Sequence, residues 1–198
     1  METIFSYSKM VPLNSEEERM PNSMLECGRV HVYTGNGKGK TTAALGLAFR
    51  AWGRGLRSYI GQFMKGQLYA ELAAAKQTGG HIVIEQYGLD TFVHVQNPPE
   101  EQHVKMAQEG LAKLKAALTG GEYDLVIADE INTAHYFCLV SVADMKELMR
   151  LKPDGVELVF TGRYCPEEIV AAADLVTEMK EVKHYFNCGV PARDGIER

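Results

Sequence analysis

No apolar run in this chain is long enough to cross a bilayer, since a spanning helix needs roughly 20 such residues. The N-terminus carries no signal-peptide pattern, so a cytoplasmic location is expected. The four cysteines (Cys27, Cys138, Cys165, Cys188) stand far apart and form no C-x-x-C pair. That excludes a disulfide framework and a thiolate zinc site, and points to free thiols in a reducing compartment. Basic charge is also short: 21 Lys and Arg face 26 Asp and Glu, a net charge of -5. A protein whose main task is to hold nucleic acid by its backbone needs the opposite balance. Internal repeats and low-complexity segments are absent. What remains is 198 residues, 45% hydrophobic and 24% charged, enough for one full core.

The most informative segment is Thr34-Gly35-Asn36-Gly37-Lys38-Gly39-Lys40-Thr41-Thr42. It follows an alternating apolar run (Val30, Val32, Tyr33) and opens into a helical pattern (Ala43, Ala44, Leu47, Ala48). Strand, glycine-rich turn and helix, in that order, make the setting of a phosphate-binding loop. Glycines let backbone N–H groups turn inward around an anion, and the helix points its positive end at the same place. Lys40 can then reach the outer phosphates, while the Thr41 hydroxyl can hold magnesium. One departure is that Thr34 stands where such loops usually begin with glycine. Lys38, Lys40, Arg50 and Arg54 are candidates for a local basic pocket.

Residues 1–27 hold two prolines and a charge run, and read either as a mobile tail or as a short docking helix with Ser15 and Glu18 at capping-box spacing. Residues 28–198 read as one domain of alternating strands and helices. Strands are expected at Arg29–Thr34, Arg57–Phe63, His81–Gln86, Tyr123–Ala128, Val156–Thr161 and Leu175–Met179. Helices are expected at Lys40–Trp52, Leu68–Gln77, from Asn97-Pro98-Pro99-Glu100 to Gly120, at Ile131–Leu139, Val142–Leu151 and Pro166–Ala173. The third of these keeps a stripe of Val104, Ala107, Leu111, Leu114 and Leu118. The Tyr123–Ala128 strand is the most apolar and should be central. Repeated strand–helix units imply a three-layer, mostly parallel α/β sheet, with ligands beyond the carboxyl ends of its strands.

Several other segments reach that edge. The strand ending Ala128-Asp129-Glu130 places two carboxylates beside the phosphate loop, where they can hold magnesium directly or through water; the plainer reading is an acidic helix cap. Arg163 in Thr161-Gly162-Arg163 can clamp phosphate with its planar fork, or be a surface arginine in a turn. Gln62-Phe63-Met64-Lys65-Gly66 either contacts a ligand or is a connecting turn. Phe92 lies in an unusually apolar loop and can stack on a flat cofactor or pack as core. His184 is a lone histidine, a type more often structural than catalytic.

Together these residues resemble the P-loop type of ATP:corrinoid adenosyltransferase. The resemblance rests on TGNGKGKTTAALGLAFRAWGRG (34–55), IGQFMKG (60–66), YDLVIADE (123–130), LVFTGR (158–163) and VKHYFNCGVPARDGIE (182–197). The last block is far more specific than a phosphate loop, and the initial Thr34 is also similar to that family. The resemblance implies a P-loop NTPase (RecA-like) fold and transfer of the 5′-deoxyadenosyl group of ATP to cobalt(I) of a corrinoid, with release of inorganic triphosphate. It implies ATP contacts from Gly35, Asn36, Gly37, Lys38, Gly39, Lys40, Thr41, Thr42, Arg163 and His184. Lys40, Thr41 and Glu130 are implied as catalytic. Magnesium would be held by Thr41 and Glu130 with Asp129 adjacent, and Phe92 would lie beneath the corrinoid. It further implies a homodimer and a flavoprotein-type electron donor, with no nucleic-acid or membrane partner. A phosphoryl-transferring P-loop enzyme shares the loop and the acid pair, and a nucleotide sensor or corrinoid chaperone keeps the binding residues alone.

Overall fold

The computed structural model describes residues 25–89 and 99–198. Phe92 and the segment before residue 25, including Ser15 and Glu18, lie outside the described residues. Six strands form one sheet: β1 (Val30–Thr34), β2 (Ser58–Phe63), β3 (Ile82–Tyr87), β4 (Leu125–Asp129), β5 (Glu157–Thr161) and β6 (Leu175–Glu178). Their order across the sheet is β3-β2-β4-β5-β1-β6, and every pairing is parallel. Around them lie α1 (Lys40–Trp52), α2 (Ala70–Lys76), α3 (Glu101–Thr119), α4 (Ile131–Tyr136), α5 (Val142–Leu151) and α6 (Glu167–Ala172). A one-turn 3-10 helix at Tyr185–Cys188 follows. The expected three-layer α/β architecture is what the chain adopts.

β4 sits between β2 and β5, as its apolar sequence requires, and all five of its residues are buried. Alternate residues of the strands serve two cores. Val32, Phe63, Val126 and Phe160 pack with Leu111, Leu114 and Leu118 of α3 and with Met145 and Leu148 of α5. Ile60, Ile127 and Val159 point the other way, toward Ala44 and Ala48 of α1. Each fully buried leucine of α3 contributes about 1.5–3 kcal/mol through the area it removes from water.

α1 and α5 have the bounds expected from sequence, and α5 starts with a capping box: the Ser141 hydroxyl accepts from Asp144 N at 3.1 Å while Asp144 Oδ2 accepts from Ser141 N at 2.9 Å. α3 ends at Thr119 rather than Gly120, α6 spans Glu167–Ala172 rather than Pro166–Ala173, and two other helices are cut back further. α2 begins at Ala70 because Tyr69 is extended (φ -101°, ψ 150°). α4 stops at Tyr136 rather than Leu139 because Cys138 turns into the left-handed region (φ 60°), which no right-handed helix can include.

Candidate active site

The carboxyl ends of β1, β2, β4 and β5 converge on a cavity of about 510 Å³. Its floor is the turn from β1 into α1. Gly39 caps α1 with φ 117°, a conformation open to glycine, and no side chain among the described residues caps the helix start. Those N–H groups are therefore disposed toward an anion. The loop is braced from behind by the exit of β6. Gly37 N donates to Met179 O at 2.7 Å, and a Cβ on Gly35 would stand 2.4 Å from the same oxygen, closer than atoms can approach.

Lys40 is buried, and its Nζ donates to Gly35 O at 2.9 Å and Gly37 O at 2.8 Å, curling across the loop. Burial pulls its pKa below the ordinary lysine value, and nearby Arg163 adds to this against Glu130 and Asp129. Lys38 turns outward instead. Its Nζ donates to Tyr185 Oη (2.9 Å), Glu197 Oε1 (2.7 Å) and Ile196 O (3.3 Å), tying the loop to the C-terminal segment. Arg193 lies over the Tyr185 ring at 4.8 Å and bonds the same carboxylate. Hydrogen bonds from Arg193, Lys38 and Tyr185 hold the Glu197 carboxyl well below the usual carboxylate range.

The acid pair after β4 splits into two environments. Asp129, 1% exposed, accepts four hydrogen bonds: Thr41 Oγ1 (2.9 Å) and Thr161 Oγ1 (2.6 Å) on Oδ1, Lys65 Nζ (2.8 Å) and Gln62 Nε2 (3.2 Å) on Oδ2. Glu130 adopts the left-handed region (φ 62°), unusual for a residue with a side chain, and lines the cavity. Its Oε2 accepts from Thr133 Oγ1 at 2.5 Å, and its N–H donates to Thr161 Oγ1 at 2.8 Å.

Arg163 is exposed at the cavity wall, and its guanidinium meets no carboxylate among the described residues. His184 also lines the cavity. Its Nδ1 accepts from Phe186 N at 3.0 Å, capping the 3-10 turn and leaving the ring proton on Nε2. The structure thus brings together Asn36, Gly37, Lys38, Gly39, Lys40, Thr41 and Thr42 with Glu130, Arg163 and His184 on one cavity. It does not bring in Arg50 and Arg54, which are not among the lining residues. They stand ten or more positions along from Lys40, about 15 Å away at the helical rise. Tyr69, Glu71 and the stretch Gly195–Arg198 line the cavity too. Sequence reasoning had no signal for Tyr69 or Glu71. The wall at 195–198 belongs to the specific C-terminal block, which marks it as special without saying what it touches.

The family model for ATP:corrinoid adenosyltransferase BtuR/CobO/CobP matches residues 26–198. The chain belongs to the ATP:corrinoid adenosyltransferase family. Among similar proteins, the corrinoid adenosyltransferase of Sinorhizobium sp is 32% identical, covering 92% of this chain and 86% of that protein. The corrinoid adenosyltransferase of Escherichia coli K12 is 31% identical, with 91% of each chain covered. Corrinoid adenosyltransferase CobA of Salmonella typhimurium LT2 is 32% identical over the same shares. The described residues contain no helix long and apolar enough to cross a membrane.

Proposed function

We propose a division of labour among these side chains for the reaction of the family, in which the 5′-deoxyadenosyl group of ATP passes to cobalt(I) of a corrinoid and inorganic triphosphate leaves. The observation that carries this reading is the packing of the specific C-terminal block onto the phosphate loop through Lys38 and Glu197. It joins the generic nucleotide cradle to the segment that ordinary P-loop enzymes lack.

The reduced corrinoid is itself the nucleophile, so the protein needs no activated serine, cysteine or base. Its tasks are to hold the sugar carbon in line with the cobalt and to stabilise charge gathering on the triphosphate. The N–H groups of Asn36–Gly39 and the start of α1 grip that tail, with Lys40 swinging from Gly35 O and Gly37 O onto phosphate oxygens. Charge-assisted hydrogen bonds of this kind contribute about 1.5–3 kcal/mol each. Arg163 supplies a fork for the same tail, and the His184 Nε2–H donates to the nucleotide.

Magnesium fits the donors present. All four hydrogen-bonding positions of Asp129 are taken by protein, whereas Glu130 lines the cavity with one carboxylate oxygen unbonded among the described residues, and Thr41 offers its hydroxyl oxygen. Thr41 and Glu130 would hold the ion, and Asp129 would act at one remove by fixing Thr41. Bound there, the ion would neutralise phosphate charge. Phe92 packs beneath the corrinoid, residues 28–198 form the catalytic domain, and the working unit is a cytoplasmic homodimer supplied by a flavoprotein-type electron donor.

The product decides the reading. Incubation with ATP and a pre-reduced corrinoid yields inorganic triphosphate in step with the visible spectrum of a cobalt–carbon bond. Release of ADP without that spectral change would mark a phosphoryl-transfer enzyme instead.

A further inference from the structure

The turn after β2 contains a strained residue and a close backbone approach that together fix one side chain. Met64 takes a left-handed backbone (φ 58°), a strain of about 1–3 kcal/mol for a residue with a side chain. Gly66 is pressed onto the exit of β3, where an added Cβ would lie 2.4 Å from Gly88 O. Met64 N donates to Tyr87 O at 3.1 Å, so residues 64–66 are stapled to 87–88. Strain persists only where the surroundings over-determine it, and the residue so held is Lys65.

The Lys65 side chain is 15% exposed and lines the cavity. An ammonium has three N–H donors. Asp129 Oδ2 takes one at 2.8 Å, Glu71 Oε1 at 3.8 Å is beyond hydrogen-bond reach, and the face of Tyr69 lies 5.1 Å from the nitrogen. Two donors are therefore unspent on the described protein, inside a cavity already furnished for polyphosphate. Asp129 also sets the neighbourhood: it holds the Thr41 hydroxyl on one oxygen and Lys65 on the other. The cation thus stands one carboxylate away from the threonine that follows the loop lysine.

We propose that Lys65 is a second triphosphate-binding lysine, donating to the polyphosphate tail that departs as inorganic triphosphate. Lys40 approaches the tail from the loop and Lys65 from the end of β2, so the departing charge is held from two elements. This rests on the triphosphate lying in the phosphate loop.

The probe is inorganic triphosphate with magnesium chloride, titrated calorimetrically into the wild type and the Lys65→Met, Lys65→Arg and Lys40→Met variants. Lys65→Met weakens binding about 10- to 100-fold, the loss expected for a charge-assisted hydrogen bond, and Lys65→Arg recovers at least half of that on a logarithmic scale. Wild-type affinity in Lys65→Met, with loss in Lys40→Met, overturns the role of Lys65 alone. Undiminished affinity in both overturns the placement of triphosphate in the loop. The double variant Lys65→Met/Asp129→Asn separates contact from mere neutralisation of Asp129: binding stays weak if Lys65 touches phosphate, and a return to wild-type affinity overturns the proposal. Should Lys65→Met not fold, the wild type answers: the Lys65 ammonium ¹⁵N resonance shifts and its proton exchange slows with triphosphate. An unmoved resonance overturns the assignment.

Discussion

Asp129→Asn is the most revealing single change, because the residue is buried and its four bonds come from three different segments. The amide keeps the volume but turns one acceptor into a donor, which must then face either the two threonine hydroxyls or Lys65 and Gln62. Whichever way it turns, the Lys65 ammonium loses the carboxylate it hydrogen-bonds at 2.8 Å and keeps only the longer Glu71 contact at 3.8 Å among the described residues, while remaining 15% exposed. Removing one member of a buried pair costs about 3–5 kcal/mol, most of it the penalty of the orphaned charge. For a chain of this size each kcal/mol lowers Tm by about 2–4 °C, so the variant should melt about 6–20 °C below wild type. Differential scanning calorimetry measures that shift, and urea titration gives the free energy independently. The reasoning makes a second demand. Adding Lys65→Met removes the orphaned cation, so the double variant should be more stable than Asp129→Asn alone, a coupling of the two sites. A single variant melting within 1 °C of wild type would refute the account, and so would losses that simply add.

Two further predictions concern the segments at either end of the site. The Glu197 carboxyl is held below its ordinary 4.5, so its contribution to docking the C-terminal segment is fully present above pH 4.5 and is lost as pH falls through the depressed value. Amide exchange in residues 185–198, corrected for intrinsic rate, should stay flat from pH 7 to 4.5 and rise only below. Glu197→Gln should lose that protection already at pH 7, and wild-type protection in the variant would refute the role of the Lys38–Glu197 pair. Phe92→Ala should slow turnover from cobalt(II) corrinoid more than turnover from pre-reduced cobalt(I). Equal losses in the two assays would remove Phe92 from the reduction step.

Features set by neighbouring residues were legible before the fold. α1 carries glycine punctuation on both sides, which is why its bounds could be read from Lys40 to Trp52, and the apolar Leu125–Ala128 stretch announced a central strand. The early end of α4 was not legible, because the left-handed turn at Cys138 has no glycine to signal it. In the site, the order strand–loop–helix put Lys40 and Thr41 at the start of α1 from sequence alone, where the structure has them. The partner of Lys38 lies 159 residues away at Glu197, and no local pattern encodes such a bond. Nor does the local pattern distinguish Asp129 from Glu130: the burial of one and the half-burial of the other follow from the pleat of β4 and the reversal at residue 130. For Gln62–Gly66 the sequence left ligand contact and connecting turn both open, because the groups that Lys65 meets sit on β4 and α2.

The brace behind the phosphate loop dictates an order of events during synthesis. Both strands flanking β1 come from the last quarter of the chain, and the loop leans on Met179 and Lys180. A ribosome that has made the first 150 residues has already made every residue of the loop between β1 and α1, yet none of its buttresses. Such distant pairings are slow to form. Nascent chains stalled before residue 180 should therefore contain the whole loop and still fail to retain ATP, so that competence arrives in one step once β6 and Lys180 have emerged rather than growing with length.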